Sequence, residues 1–178
     1  MDKSNLKIDY QFEKIYTKAM SYCLSIIIKK RYTISGMKEK IANYLEKNKI
    51  SSIYSKSLEL KLISRLKELN YLNDLEYSKD YFEEKLKIRQ KGKFKIINEL
   101  KQKGVSSDII TEALGMVDIE EDLLINNLFE KMKNKWNKLP LNKQKEKAFR
   151  FFLSRGFSSE SIYNLINNHY SNIKDKDY

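Results

Sequence analysis

The chain has 178 residues, 41% apolar and 12% aromatic, which is enough to bury a core and excludes wholesale disorder. One proline and five glycines leave too few turn signals for an all-β fold, no run of 18 apolar residues marks a membrane span, and a single cysteine, Cys23, excludes an intramolecular disulfide. The net charge of +11 permits an anionic partner, but its 30 lysines against five arginines, beside abundant Ile and Asn, look partly like coding bias, so the total alone is no nucleic-acid signature.

Residues 1–9 are polar and expected to be flexible. From Tyr10 to Lys30 an apolar set (Phe12, Ile15, Tyr16, Ala19, Tyr22 or Cys23, Ile26, Ile27) recurs at three- and four-residue steps and predicts one long helix. Thr33 or Ser35 can cap a second helix with Met37, Ile41, Tyr44 and Leu45 on its buried face, and a third carries Leu58, Leu62, Ile63, Leu66 and Leu69. Asn73 and Glu76 have capping-box spacing before a helix with Tyr77, Tyr81, Phe82 and Ile88, which stops near Lys91-Gly92. Helices over about Phe94–Lys103 and Ser107–Val117 follow. Another opens near Ile119 with Leu123, Leu124, Leu128, Phe129 and Met132 and breaks at Leu139-Pro140-Leu141-Asn142. The last two are Lys143–Arg155 and Ser159–His169, and residues 171–178 are expected to fray.

The pattern repeats. Ile96–Ile110 aligns with Ala148–Ile162 at an offset of 52, with Leu100 on Phe152, Gly104 on Gly156, Val105 on Phe157 and Ser106-Ser107 on Ser158-Ser159. Each copy is a helix ending at a base (Lys103, Arg155), a glycine suited to the left-handed closing position, a returning apolar residue, and a Ser-Ser-acid start to the next helix. A weaker copy around Leu45 has Lys49 in place of the glycine. The spacing predicts an all-α protein of three tandem three-helix repeats (10–70, 71–118 and 119–170), each too small to bury much alone, stacked into an elongated, solenoid-like or crescent-shaped array that works through its outer surface.

Charge is banded along this frame. Lys85–Lys103 holds eight basic residues and one acid, Gly104–Glu130 seven acids and no Lys or Arg, and Lys131–Arg155 nine basic residues and one acid. Lys29, Lys30 and Arg31, then Lys87, Arg89, Lys91, Lys93 and Lys95, then Lys143, Lys145, Lys147 and Arg150 each fall near the junction of a first and a second helix. If the repeats stack in register these clusters line one ridge able to meet phosphates or an acidic protein; as solvated faces they need no partner. Arg89, Lys91, Arg150 and Arg155 lead the candidates, although Arg155 also suits a helix C-terminus. Trp136, among Lys133, Lys135 and Lys138, has two readings, a base-stacking platform or an anchor for the chain around it.

Catalytic constellations are missing. His169 is the lone histidine, at the end of a helix. Cys23 lies on an apolar helix face with no histidine near it in sequence, which suits core packing. No Cys/His spacing fits zinc, Gly92, Gly104 and Gly156 read as helix stops rather than a phosphate loop, and Glu83-Glu84 and Glu120-Glu121-Asp122 read as helix surface. No enzyme activity, metal or cofactor is expected, and the chain reads as a cytoplasmic monomer.

Three segments in order carry a resemblance. Leu69-Asn70-Tyr71-Leu72-Asn73-Asp74-Leu75-Glu76-Tyr77-Ser78, then Arg89-Gln90-Lys91-Gly92 leading into Ile97-Asn98-Glu99-Leu100-Lys101-Gln102-Lys103-Gly104-Val105, then Phe152-Leu153-Ser154-Arg155-Gly156-Phe157 are similar to motifs of the RecX family, regulators of the RecA recombinase. The likeness covers about residues 10–170. The first joint departs most, stretched over Lys30–Gly36 and with Lys49 where glycine is usual. The resemblance implies a non-enzymatic modulator that binds the RecA filament on single-stranded DNA and lowers its ATPase, strand-exchange and coprotease activities, with possible direct contact to single- or double-stranded DNA. The alternative left open by the residues is a basic helical-repeat protein that binds nucleic acid without a recombinase.

Overall fold

The computed structural model describes residues 3–170, with side chains from residue 10. Its regular elements are helices: α1 (Lys3–Ile27), α2 (Ile34–Lys47), α3 (Ser52–Glu68), α4 (Asp74–Lys87), α5 (Lys93–Gln102), α6 (Ser107–Gly115), α7 (Glu121–Met132), α8 (Leu141–Ser154) and α9 (Ser159–Tyr170), with a 3-10 turn at Lys133–Lys135. No strand occurs among the described residues, as the spacing of apolar residues predicts. α1 begins at Lys3, inside the segment expected to be loose, because neither glycine nor proline interrupts it before Ile27. The expected fraying of residues 171–178 lies outside the described residues.

The chain divides into two compact units, Met1–Tyr77 with Lys103–Ser106, and Ser78–Gln102 with Ser107–Tyr178. In unit 1, α1, α2 and α3 pack on one another around Ala19, Cys23, Met37, Ile41, Leu45, Leu58, Leu62 and Leu66. Cys23 is fully buried and burial pushes its thiol up to about 11, so it is a neutral core side chain. In unit 2, α7 and α8 pack on α9 around Ile125, Phe129, Phe152, Phe157, Ile162 and Leu165, and α5 packs on α6. Trp136 sits in this core against Phe129, Phe151 and Phe152, which makes it an anchor rather than a stacking platform. His169 is held in the last turn of α9, 3.0 Å from Asn126 Oδ1 with its ring 4.5 Å from that of Phe129.

Three expected core positions are corrected; one is Leu123, 53% exposed because it falls on the outer side of α7, whose buried residues are Ile125, Leu128 and Phe129. Leu69 is the C-cap of α3 and 43% exposed, because the helix closes there through left-handed Asn70. Ile88 is 70% exposed, because α4 stops at Lys87 and Gln90 (φ 49°) turns the chain away.

Candidate functional site

Two of the three basic clusters lie at joints, each of which seats the start of one helix on the end of another, and the third runs along α8. In unit 1 the α1–α2 loop docks on the chain just after α5. Buried Thr33 caps α2 by accepting from Gly36 N (3.0 Å) and donates its hydroxyl to the Lys103 carbonyl (2.8 Å). Ile34 N donates to Asp74 Oδ1 (2.8 Å). Asp74 is buried and desolvation pushes its carboxyl above the usual range, against the Ile34 bond and the Lys67 charge, which favour the ion. Asn73 Oδ1 accepts from Leu75 N and Glu76 N, both at 3.1 Å, so it caps α4. The Glu76 carboxylate instead faces Arg31 at 3.6 Å. Within the family-like segment Leu69–Ser78, Asn73, Asp74 and Glu76 therefore build this joint. Gly104, in the left-handed region at φ 77°, lies so close to Ser35 that an added Cβ would stand 2.3 Å from its Oγ.

In unit 2 the α4–α5 loop docks on the end of α8 by backbone. Gly92 N donates to the Arg155 carbonyl (2.9 Å) and Phe94 N to the Gly156 carbonyl (3.1 Å). Gly92 was expected to stop a helix; that turn falls to Gln90, and Gly92 is glycine because an added Cβ would lie 2.2 Å from the Gly156 backbone. Gly156 does close its helix, at φ 84°, and its own Cβ would lie 2.4 Å from Lys95 N.

This joint brings Arg89, Lys91, Lys95 and Arg155 together and gives three of them work inside the fold. Lys95 Nζ donates to the Ser154 carbonyl at 3.0 Å, at the negative end of α8. Arg155 donates to the Arg89 carbonyl at 3.3 Å and lies 4.8 Å over the Phe151 ring. Lys91 pairs with Glu99, which also accepts from Tyr81 at 2.9 Å. Desolvation pushes the Glu99 carboxyl up, but the Lys91 and Tyr81 hydrogen bonds and the charges of Lys91 and Lys95 outweigh it and hold it below the usual range. Lys93 reaches Glu121 at 3.5 Å, whose other oxygen accepts from Ser158 N at 3.2 Å.

The remaining candidates face solvent. Lys29, Lys30 and Arg31 are exposed in the α1–α2 loop, with Lys30 Nζ 5.5 Å from the Tyr32 ring centre. Lys87 and Arg89 are exposed at the end of α4, and Lys147 on α8. Arg150 pairs with Glu146 at 2.7 Å, which Lys143 also meets at 3.1 Å; such exposed pairs are screened by water and yield readily to a better anion. The exposed cations can attract phosphates or carboxylates. Among the described residues no helix is long and apolar enough to cross a membrane, and no group of three or more His, Cys, Asp and Glu is placed to hold a metal.

Residues 73–114, which span α4–α6, match the family model described as RecX, second three-helix domain. The chain is 38% identical over 115 residues to "Regulatory protein RecX" of Clostridium perfringens, covering 61% of this chain and 53% of that protein. It is 28% identical over 131 residues to the protein of the same name from Streptococcus agalactiae, covering 73% and 48%. It thus spans about half the length of these relatives. Two crystal structures share its fold: one of regulatory protein RecX, with a TM-score of 0.78 at 20% identity over 95% of this chain and 80% of that one, and one of RecX from Lactobacillus salivarius, with 0.71 at 23% over 86% and 95%. The matched domain, the named relatives and the shared helical fold make the chain similar to RecX regulatory proteins, in sequence over its second three-helix domain and about half of those relatives' length, and in fold over most of the chain.

Proposed function

We propose that this chain regulates a RecA-type recombinase by binding its filament on single-stranded DNA, lowering its ATP hydrolysis, strand exchange and coprotease activity without catalysing a reaction of its own. The observation that carries the reading is the RecX second-domain match over residues 73–114, a stretch that contains the Asn73-Asp74 cap and the cations at the end of α4. Exposed Lys29, Lys30, Arg31, Lys87, Arg89, Lys147 and Arg150 provide a positive field for a filament whose DNA is a polyanion. Lys91, Lys93, Lys95 and Arg155 serve the joint and position its neighbours. The helices act as three trios, over residues 10–70, 71–118 and 119–170, presenting cations from successive first-to-second-helix junctions.

The test is the DNA-dependent ATPase of the cognate recombinase. Substoichiometric protein is expected to slow turnover; an unchanged rate at equimolar protein and low salt removes the proposal. The simpler alternative, nucleic-acid binding with no protein partner, makes a different forecast: recruitment to DNA independent of the recombinase.

A further inference from the structure

Away from the joints, unit 1 contains an open groove of about 520 Å³ between α1 and the C-terminal end of α2. Ile15 and Ile50 line it together with an aromatic from each helix, Tyr10 and Tyr44. Tyr10 is 73% exposed, which leaves its ring open to solvent. Tyr44 is held by stacking on Tyr22, with 4.5 Å between ring centres and 19° between planes. Lys14 and Lys18 are both exposed along the same wall. Tyr10, Lys14, Lys18 and Tyr22 follow at four-residue steps, so they form one ridge of α1 with about 6 Å between neighbours along the axis. Gln11 and Asn48 add side-chain amides; Asn48 Nδ2 donates to the Tyr44 carbonyl at 2.8 Å, which leaves its Oδ1 as an acceptor. Among the described residues, none of those lining the groove is acidic.

We propose that this groove takes a single-stranded nucleic acid, with an unpaired base stacked on Tyr10 and successive phosphates on Lys14 and Lys18. Each group matches one part of a nucleotide. An aromatic face stacks on any base, an amide meets a base edge, and a lysine meets a phosphate. A duplex cannot present a free base face to Tyr10. An acidic peptide would use the lysines, but it does not carry a flat ring and an anion on every unit, as a nucleotide does for Tyr10 beside Lys14 and Lys18. The site lies apart from the α4–α5 cations and does not depend on the recombinase reading, so the recombinase is left out of its test.

The test is fluorescence anisotropy of the full chain with labelled oligo(dT) and with a duplex across a salt series. Tyr10→Ala is expected to weaken single-strand binding by roughly five- to a hundredfold, the range for losing one stacked base, while duplex binding stays put. Tyr10→Phe keeps the ring and is expected to bind as the parent does. Lys14→Gln with Lys18→Gln is expected to flatten the slope of log affinity against log salt by about 1.4, two phosphate contacts on a single strand. All three side chains are exposed, so the melting temperature serves as the control. The proposal is overturned if the parent chain does not bind oligo(dT), if Tyr10→Ala binds it unchanged, if Tyr10→Phe loses as much as Tyr10→Ala, or if the lysine pair leaves the slope alone.

Discussion

The joint in unit 1 and the joint in unit 2 perform the same task with different chemistry. Both seat the start of a second helix on the left-handed glycine that closes another helix. Unit 1 does it with side chains, Thr33 to the Lys103 carbonyl and Asp74 to Ile34 N. Unit 2 does it with main chain, Gly92 N and Phe94 N to the carbonyls of Arg155 and Gly156, and this is possible only because two glycines let the backbones approach. The two solutions fail differently: a side-chain clasp loses one bond at a time, while a backbone clasp tolerates no added atom. They also use their cations differently, since Lys95 and Arg155 in unit 2 cap carbonyls while Lys29 and Lys30 in unit 1 stay in solvent.

The sharpest way to break this contrast is a methyl group in the backbone clasp. Gly156→Ala is expected to cost about 2–5 kcal/mol, from overpacking against Lys95 plus left-handed strain, with Gly92→Ala close behind. Trp136 lies in the unit 2 core, so its fluorescence transition in urea reports the loss directly. Gly104→Ala is expected to cost less, about 2–3 kcal/mol, because the obstacle is a serine side chain. Ser35→Gly is expected to restore the contact part of that cost but not the strain. A double-mutant cycle with no coupling between Ser35 and Gly104 would contradict the geometry.

Asp74→Ala, which leaves Ile34 N without its carboxylate, is expected to cost about 1–3 kcal/mol and to show in far-UV circular dichroism more than in Trp136 fluorescence. The pair around Glu99 sharpens the contrast by pH. Its carboxyl is held below the usual range, so the charged form stabilises unit 2 above the ordinary value of about 4.3, and that stability is lost as pH falls through and below it. Glu99→Gln is therefore expected to be less stable than the parent at neutral pH and to converge with it in acid; a gap that persists in acid would mean that packing rather than charge sets it. The smallest effect belongs to Lys49, left-handed at φ 54° in exposed surroundings. Lys49→Gly is expected to gain up to about 1 kcal/mol by relieving the strain, measured as a rise in melting temperature.

Much of this was legible in the sequence, for definite reasons. Helix positions followed from apolar spacing, and the closing turns at Gly104 and Gly156 followed from a base, a glycine and a returning apolar residue in that order. Asn73 was legible as a cap because capping is local. The function of Gly92 was not, because its neighbour Gly156 is 64 residues away in the sequence, and a close approach of backbones leaves no trace in either segment alone. Separation in sequence likewise hid the employment of Lys93 by Glu121 and of Lys95 by Ser154, so a run of alternating lysines read as one basic surface when part of it serves the joint. Ile88 was misplaced because periodicity does not show where a helix is cut short; Gln90 does that without a glycine.

The most direct test of the account is the half-inhibitory concentration on recombinase ATPase for Lys87→Gln with Arg89→Gln, beside the parent chain. Both side chains are exposed and neither clasps the joint by its charge, so the account predicts an unchanged melting temperature with inhibition weakened several-fold, more so as salt is lowered. Equal inhibition by parent and variant at every salt concentration would contradict it.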